Sequence, residues 1–94
     1  LYVAEGPDRG RVLELDGGPV TLGRSRACSL PLADPNASKE HLKIEWTPEG
    51  YLMSDLGSSF GTRLNGQPAA SALLRPLDRI AIGETTIVFE SDAR

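Results

Sequence analysis

His41-Leu42-Lys43-Ile44-Glu45-Trp46 alternates polar and apolar side chains without a break. A period of two belongs to an extended strand, which puts Leu42, Ile44 and Trp46 on a core face and His41, Lys43 and Glu45 on a solvent face. The chain repeats this theme on both sides in short runs. Leu1 to Glu5, Arg11 to Leu15, Pro19 to Leu22 and Cys28 to Leu32 read as strands before it. Tyr51 to Asp55, Arg63 to Asn65, Arg79 to Ile82 and Thr85 to Glu90 read as strands after it. Between them stand Gly6-Pro7, Asp16-Gly17-Gly18, Pro48-Glu49-Gly50, Asn65-Gly66 and Gly83-Glu84, which tolerate positive φ or fix a turn. Asn65-Gly66 is a hairpin signal, because both central positions of a type I′ turn take positive φ. Only Ala69 to Leu74 is compatible with a helix, and with Pro76 close behind it is predicted as a loop or a single turn. Short, frequent strands separated by turns predict an all-β sandwich or barrel.

Composition narrows the class further. A chain of 94 residues suits one domain with one hydrophobic core. With 39% hydrophobic and 24% charged residues it is neither disordered nor fibrous. No apolar run is long enough to span a bilayer, and no basic region followed by an apolar run opens the chain. A start at Leu1 rather than Met reads as a segment of a longer protein, and no membrane partner is expected. The single cysteine, Cys28, cannot form an internal disulfide, and one histidine leaves too few soft ligands for zinc. A reducing intracellular setting, cytoplasmic or nuclear, is expected, with no metal and no cofactor. Cys28 itself reads as a small buried residue, and Trp46, Tyr51, Met53 and Phe89 read as core. A net charge of −3 lacks the basic stripe of a nucleic-acid binder.

Three loops gather the polar residues: Gly23 to Ala27, Ala33 to Lys39, and Gly57 to Thr62. They offer a guanidinium at Arg24, an ammonium at Lys39, hydroxyls at Ser38, Ser58, Ser59 and Thr62, and a glycine-rich backbone at Gly57 and Gly61. This is an anion-binding inventory. A phosphate monoester is close to doubly charged near neutral pH, and its three acceptor oxygens suit a forked Arg donor with several short-range donors. Charge-assisted bonds of about 1.5 to 3 kcal/mol each, set against the cost of association, predict a reversible interaction.

Gly23-Arg24, then Ser38-Lys39-Glu40-His41, then Asp55-Leu56-Gly57-Ser58-Ser59-Phe60-Gly61-Thr62, closed by Asn65-Gly66, resemble the ordered signature of the forkhead-associated (FHA) family. That signature runs Gly-Arg, Ser-Arg-x-His, Asp-Leu-Gly-Ser-x-Asn-Gly-Thr and Asn-Gly. The resemblance implies an FHA/SMAD-like sandwich of two antiparallel sheets with about eleven short strands, covering residues 1–94 as a single domain. It implies that the domain recognises phosphothreonine in a partner protein and acts in kinase-dependent signalling; so small a binding module is expected to be a monomer. By the same resemblance Arg24, Ser38 and Ser59 grip the phosphate. Lys39, Phe60, Arg26 and Arg63 are candidates for contact with the peptide. Gly23, His41, Asp55, Gly61 and Thr62 are implied to support the loops. The chain departs from the pattern at Phe60, where the family carries an Asn whose amide hydrogen-bonds the bound peptide. A phenyl ring makes no such bond and offers apolar contact instead.

Other function classes have less behind them. Ser, His and Asp all occur, yet there is no Gly-x-Ser-x-Gly elbow, so an enzyme is not expected. The lysine and hydroxyl that end a P-loop are missing after Gly57 to Gly61. The rival reading is an FHA-like sandwich used as a phosphorylation-independent interaction or dimerisation surface, and Phe60 is the residue that favours it.

Overall fold

The computed structural model describes residues 1–90. Ten strands form two five-stranded sheets. They are β1 (Tyr2–Glu5), β2 (Val20–Gly23), β3 (Leu30–Pro31), β4 (Leu42–Thr47), β5 (Gly50–Asp55), β6 (Arg63–Leu64), β7 (Gln67–Pro68), β8 (Ser71–Leu73), β9 (Arg79–Ile82) and β10 (Thr85–Val88). One sheet is ordered β1-β10-β9-β6-β7 and the other β3-β2-β4-β5-β8. All pairings between these strands are antiparallel except β2 with β3, which run parallel at Leu22↔Leu30 and Gly23↔Pro31.

The two sheets face each other through one apolar cluster. Leu22, Leu42, Ile44 and Met53 from one sheet and Val3, Ile80, Ile82 and Ile87 from the other are essentially inaccessible to water. Removing each such side chain from solvent contributes on the order of 1.5–3 kcal/mol, and this burial selects the strand register. Asn65 and Gly66 have φ of 52° and 86°, the type I′ values that close the tight β6–β7 hairpin.

Several expectations are revised. Arg11 to Leu15 contributes a single bridge, Tyr2↔Val12, rather than a strand, and the ten strands among the described residues agree with the about eleven implied. Ala69 to Leu74 contains β8 instead of a loop or turn, because the free edge of β5 takes up Ser71–Leu73 and Leu74 becomes buried. Trp46 lies on the same side of β4 as Leu42 and Ile44, but it sits at the hairpin end and is 56% exposed. It packs edge-on against Tyr51 at 5.1 Å, and Tyr51 in turn against the buried Phe89 at 5.7 Å. His41, predicted on the solvent face, is fully buried because the loop after β5 folds over it. Cys28 is buried, as predicted.

The order β2-β4-β5 explains why the loops converge. In this antiparallel set β2 ends, β4 begins and β5 ends at the same edge, with Leu22 opposite Leu42 and Leu42 opposite Asp55. The chain leaving β2, entering β4 and leaving β5 therefore meets at one end of the sandwich.

Candidate phosphate-binding loops

The last residue of β2, Gly23, is held against the loop that precedes β4. Its carbonyl accepts from Leu32 N at 2.7 Å, and beyond it Arg24 N and Ser25 N donate to the carbonyls of Ser38 and Lys39, each at 3.0 Å. A Cβ at Gly23 would fall onto the Lys39 carbonyl and within 2.8 Å of Ser38 O, so only glycine allows this approach. The same contact sets Arg24 beside Ser38. Arg24 Nε donates to Ala37 O, and its Nη nitrogens make no hydrogen bond or ion pair among the described residues. The guanidinium fork thus stays exposed and open to an anion.

Ser38 joins the second loop to the third. Ser59 N donates to Ser38 Oγ at 3.0 Å, which leaves the Ser38 hydroxyl hydrogen free to point outward. Ser38 N in turn donates to His41 Nδ1 at 3.0 Å. That bond requires the tautomer protonated at Nε2, which donates to Gly61 O at 2.9 Å. Buried His41 thereby clamps the Ser38 and Gly61 loops with one ring. Leu56 N donates to the His41 carbonyl at 2.8 Å and completes the link.

Asp55 organises the third loop from within. Its Oδ1 accepts from Gly57 N and Ser58 N, and its Oδ2 from Ser58 Oγ and Thr62 Oγ1, all between 2.6 and 2.8 Å. Burial alone would raise the pKa of this carboxyl, but the Ser58 and Thr62 hydroxyls with the two amides outweigh it and hold the pKa down at about 2. Ser58 Oγ also accepts from Gly61 N at 2.9 Å. The Ser58 and Thr62 hydroxyls, counted in the sequence as available donors, are therefore consumed inside the loop. The Ser59 hydroxyl has no partner among the described residues and stands exposed next to Ser38.

The remaining candidates frame this cluster. Lys39 and Arg26 are exposed beside it, and the backbone carbonyl of Lys39 also takes the Cys28 thiol at 3.3 Å. Phe60 is 74% exposed at the loop tip. With Arg63, Asn36, Ala81 and Gly83 it borders a shallow depression of about 180 Å³. Sequence reasoning missed Asp34, which is buried and accepts from Asn36 N, Glu84 N and Thr85 Oγ1 at 2.8–2.9 Å. These bonds hold its pKa down against the opposing effect of burial, and they tie the second loop to the β9–β10 turn. The signal was the dipeptide Asp34-Pro35, a turn initiator within a loop already singled out.

Fold and loops together define an all-β recognition module with a cationic, hydroxyl-bearing end. Residues 2–93 match the family model described as "Inner membrane component of T3SS, cytoplasmic domain". Two solved structures with high similarity are FHA domains. One, from a study of phosphothreonine-dependent FHA domain interactions, superposes with a TM-score of 0.89 at 28% identity, covering 99% of this chain and 95% of that one. Another, the FHA domain of an Arabidopsis thaliana hypothetical protein, gives 0.84 at 34% identity over 99% and 86%. The chain is also 33% identical over 89 residues to the oxoglutarate dehydrogenase inhibitor of Corynebacterium efficiens, covering 95% of this chain and 63% of that protein. It is 33% identical over 79 residues to the FHA domain-containing protein FhaA of Mycobacterium tuberculosis, 84% of this chain but only 15% of FhaA. The chain belongs to the FHA domain family, within the group that the matching family model describes.

Proposed function

We propose that residues 1–94 form a single domain that binds a threonine-phosphorylated segment of a partner protein, with Arg24, Ser38 and Ser59 holding the phosphate. One observation carries this reading: the Ser59 amide bonded to Ser38 Oγ, beside an Arg24 whose Nη donors are unused. Three loops thereby present a forked cation and two hydroxyls with no competing carboxylate paired to them among the described residues. Two structural neighbours, one from a study of phosphothreonine-dependent FHA domain interactions and one, Mycobacterium tuberculosis EmbR, in complex with a phosphopeptide, support the same ligand class. Lys39, Arg26, Phe60 and Arg63 then contact the peptide on either side of the phosphate. The domain works as a binder, with His41 buried and both its ring nitrogens engaged in holding the loops rather than touching the ligand. It acts as a monomer in kinase-dependent signalling inside the cell.

A second reading, a phosphorylation-independent interface, is favoured by the exposed Phe60 ring. Calorimetric titration with matched phosphothreonine, phosphoserine and unphosphorylated peptides separates the two. Binding confined to phosphothreonine and lost in Arg24→Ala supports the first; binding indifferent to phosphate and to Arg24 supports the second.

A further inference from the structure

The loop between β3 and β4 carries Ser38 and follows a strand of the sheet β3-β2-β4-β5-β8, yet two of its anchors lie on the other sheet. Ala33 N donates at 2.7 Å to Asp8 Oδ2, in the turn after β1. Asp34, only 1% exposed, reaches across to the β9–β10 turn. Its Oδ1 accepts from Asn36 N at 2.9 Å, and its Oδ2 from Glu84 N at 2.9 Å and Thr85 Oγ1 at 2.8 Å. No cation pairs with it among the described residues, so neutral donors hold a carboxylate in the interior. Such burial is tolerated only while those bonds are made. The side chain suits the place, because a carboxylate accepts on both oxygens and brings no N–H against that of Glu84. Gly83 lets the turn close on it, since a Cβ there would stand 2.8 Å from both Asn36 Cβ and Asp34 Oδ1.

From this anchor a short path leads to the phosphate loops. Asp34 O accepts from Ala37 N at 3.0 Å and closes the turn 34–37. Ala37 is buried, and its carbonyl is the acceptor for Arg24 Nε. A guanidinium is planar, so an Nε fixed on that carbonyl also fixes where the two Nη donors point. Ser38 follows directly in the chain, and its own carbonyl takes Arg24 N at 3.0 Å. One turn and one hydrogen bond thus separate the Asp34 carboxylate from the fork.

We propose that Asp34 is a positioning residue for phosphate binding: without touching the ligand, its carboxylate fixes the turn 34–37 against the β9–β10 turn and so aims the Arg24 guanidinium. The inference rests on the phosphate reading above and names a residue outside its contact set. It makes the β9–β10 turn, 50 positions from Asp34, part of the frame of the site.

The test combines nitrogen-15 NMR of the Arg24 Nε–H group in the whole chain with calorimetric titration. The probes are a capped alanine pentapeptide with central phosphothreonine and its unphosphorylated counterpart. In the wild type the Nε–H signal is protected from exchange by Ala37 O. Asp34→Asn keeps the volume but turns an amide towards Glu84 N–H; the Arg24 signal is lost to exchange and phosphopeptide affinity falls about tenfold. Thr85→Val removes one donor and weakens binding roughly threefold, while Thr85→Ser keeps the hydroxyl and stays within about twofold of wild type. Arg24→Ala costs roughly tenfold less in the Asp34→Asn background than alone, as expected of two residues acting through one interaction. Ile87→Val lowers stability from the core and leaves both the Arg24 signal and the affinity within about twofold. An Arg24 signal and affinity unchanged in Asp34→Asn, fully additive losses with Arg24→Ala, or the same losses in Ile87→Val would overturn the proposal. A wild type that binds both peptides alike overturns the phosphate reading instead, and the Arg24 signal in Asp34→Asn still decides whether the carboxylate positions the guanidinium.

Discussion

Ser38 Oγ accepts the Ser59 amide at 3.0 Å, across 21 positions of sequence. One hydroxyl thus fixes the spacing of two loops while its own proton remains free for a ligand. Ser38→Ala removes both roles and is expected to weaken phosphothreonine-peptide binding about 10- to 100-fold. Ser59→Ala keeps its backbone donor and loses about tenfold at most. Calorimetry on the two variants orders them; equal losses would mean that the loop clamp contributes nothing.

Arg24 is exposed and makes one side-chain bond among the described residues, to Ala37 O. Arg24→Ala should therefore leave stability within about 1 kcal/mol while phosphate-dependent binding falls by a factor on the order of 100. Arg24→Lys restores charge without the planar fork and recovers only part of the affinity. Urea unfolding beside peptide titration reads both quantities.

Phe60 offers no hydrogen bond and is 74% exposed. Phe60→Asn is expected to change stability by less than about 0.5 kcal/mol. It should tighten phosphothreonine peptides several-fold through one new amide contact of about 1 kcal/mol. A loss of affinity on this change would show instead that the ring itself grips the target.

Asp55 has its pKa held at about 2, below the ordinary 3.8. Its ionised form is favoured by folding, so its contribution is complete above about pH 4, declines as pH falls from 3.8 towards 2, and is gone below that. Nearly two pKa units correspond to about 2 kcal/mol. Unfolding free energy measured from pH 5 to pH 2 should show this loss, and Asp55→Asn should flatten it at a lower overall stability.

Gly23 lies with Lys39 O where a Cβ would be. Gly23→Ala forces β2 and the Ser38 loop apart and is expected to cost about 2–3 kcal/mol, read as a drop in Tm. Peptide binding falls with it, since Arg24 and Ser38 are joined through the displaced backbone.

Much of this was legible in the sequence because it rests on local rules. Alternation over His41 to Trp46 gives a strand wherever the chain goes, and Asn65-Gly66 closes a type I′ turn by its own conformational preference. The order of Gly23-Arg24, Ser38 to His41 and Asp55 to Thr62 pointed to the loops that meet. Less legible was which hydroxyls remain free: Ser58 and Ser59 are neighbours of the same type, yet Asp55 takes the first and leaves the second exposed. The helix-compatible Ala69 to Leu74 became a strand because an unpaired edge of β5 offered hydrogen bonds that an isolated turn could not match.

By itself the sequence determined the all-β class, the turns and the set of residues able to bind an anion, because propensity and side-chain chemistry act over a few neighbouring residues. Only the tertiary structure decided that His41 is interior and Trp46 exterior along one alternating run of sequence. It alone decided that Asp34 anchors a loop to a turn 50 positions away. Burial at a strand end depends on which distant segment covers it, and alternation within the strand carries no information about that cover.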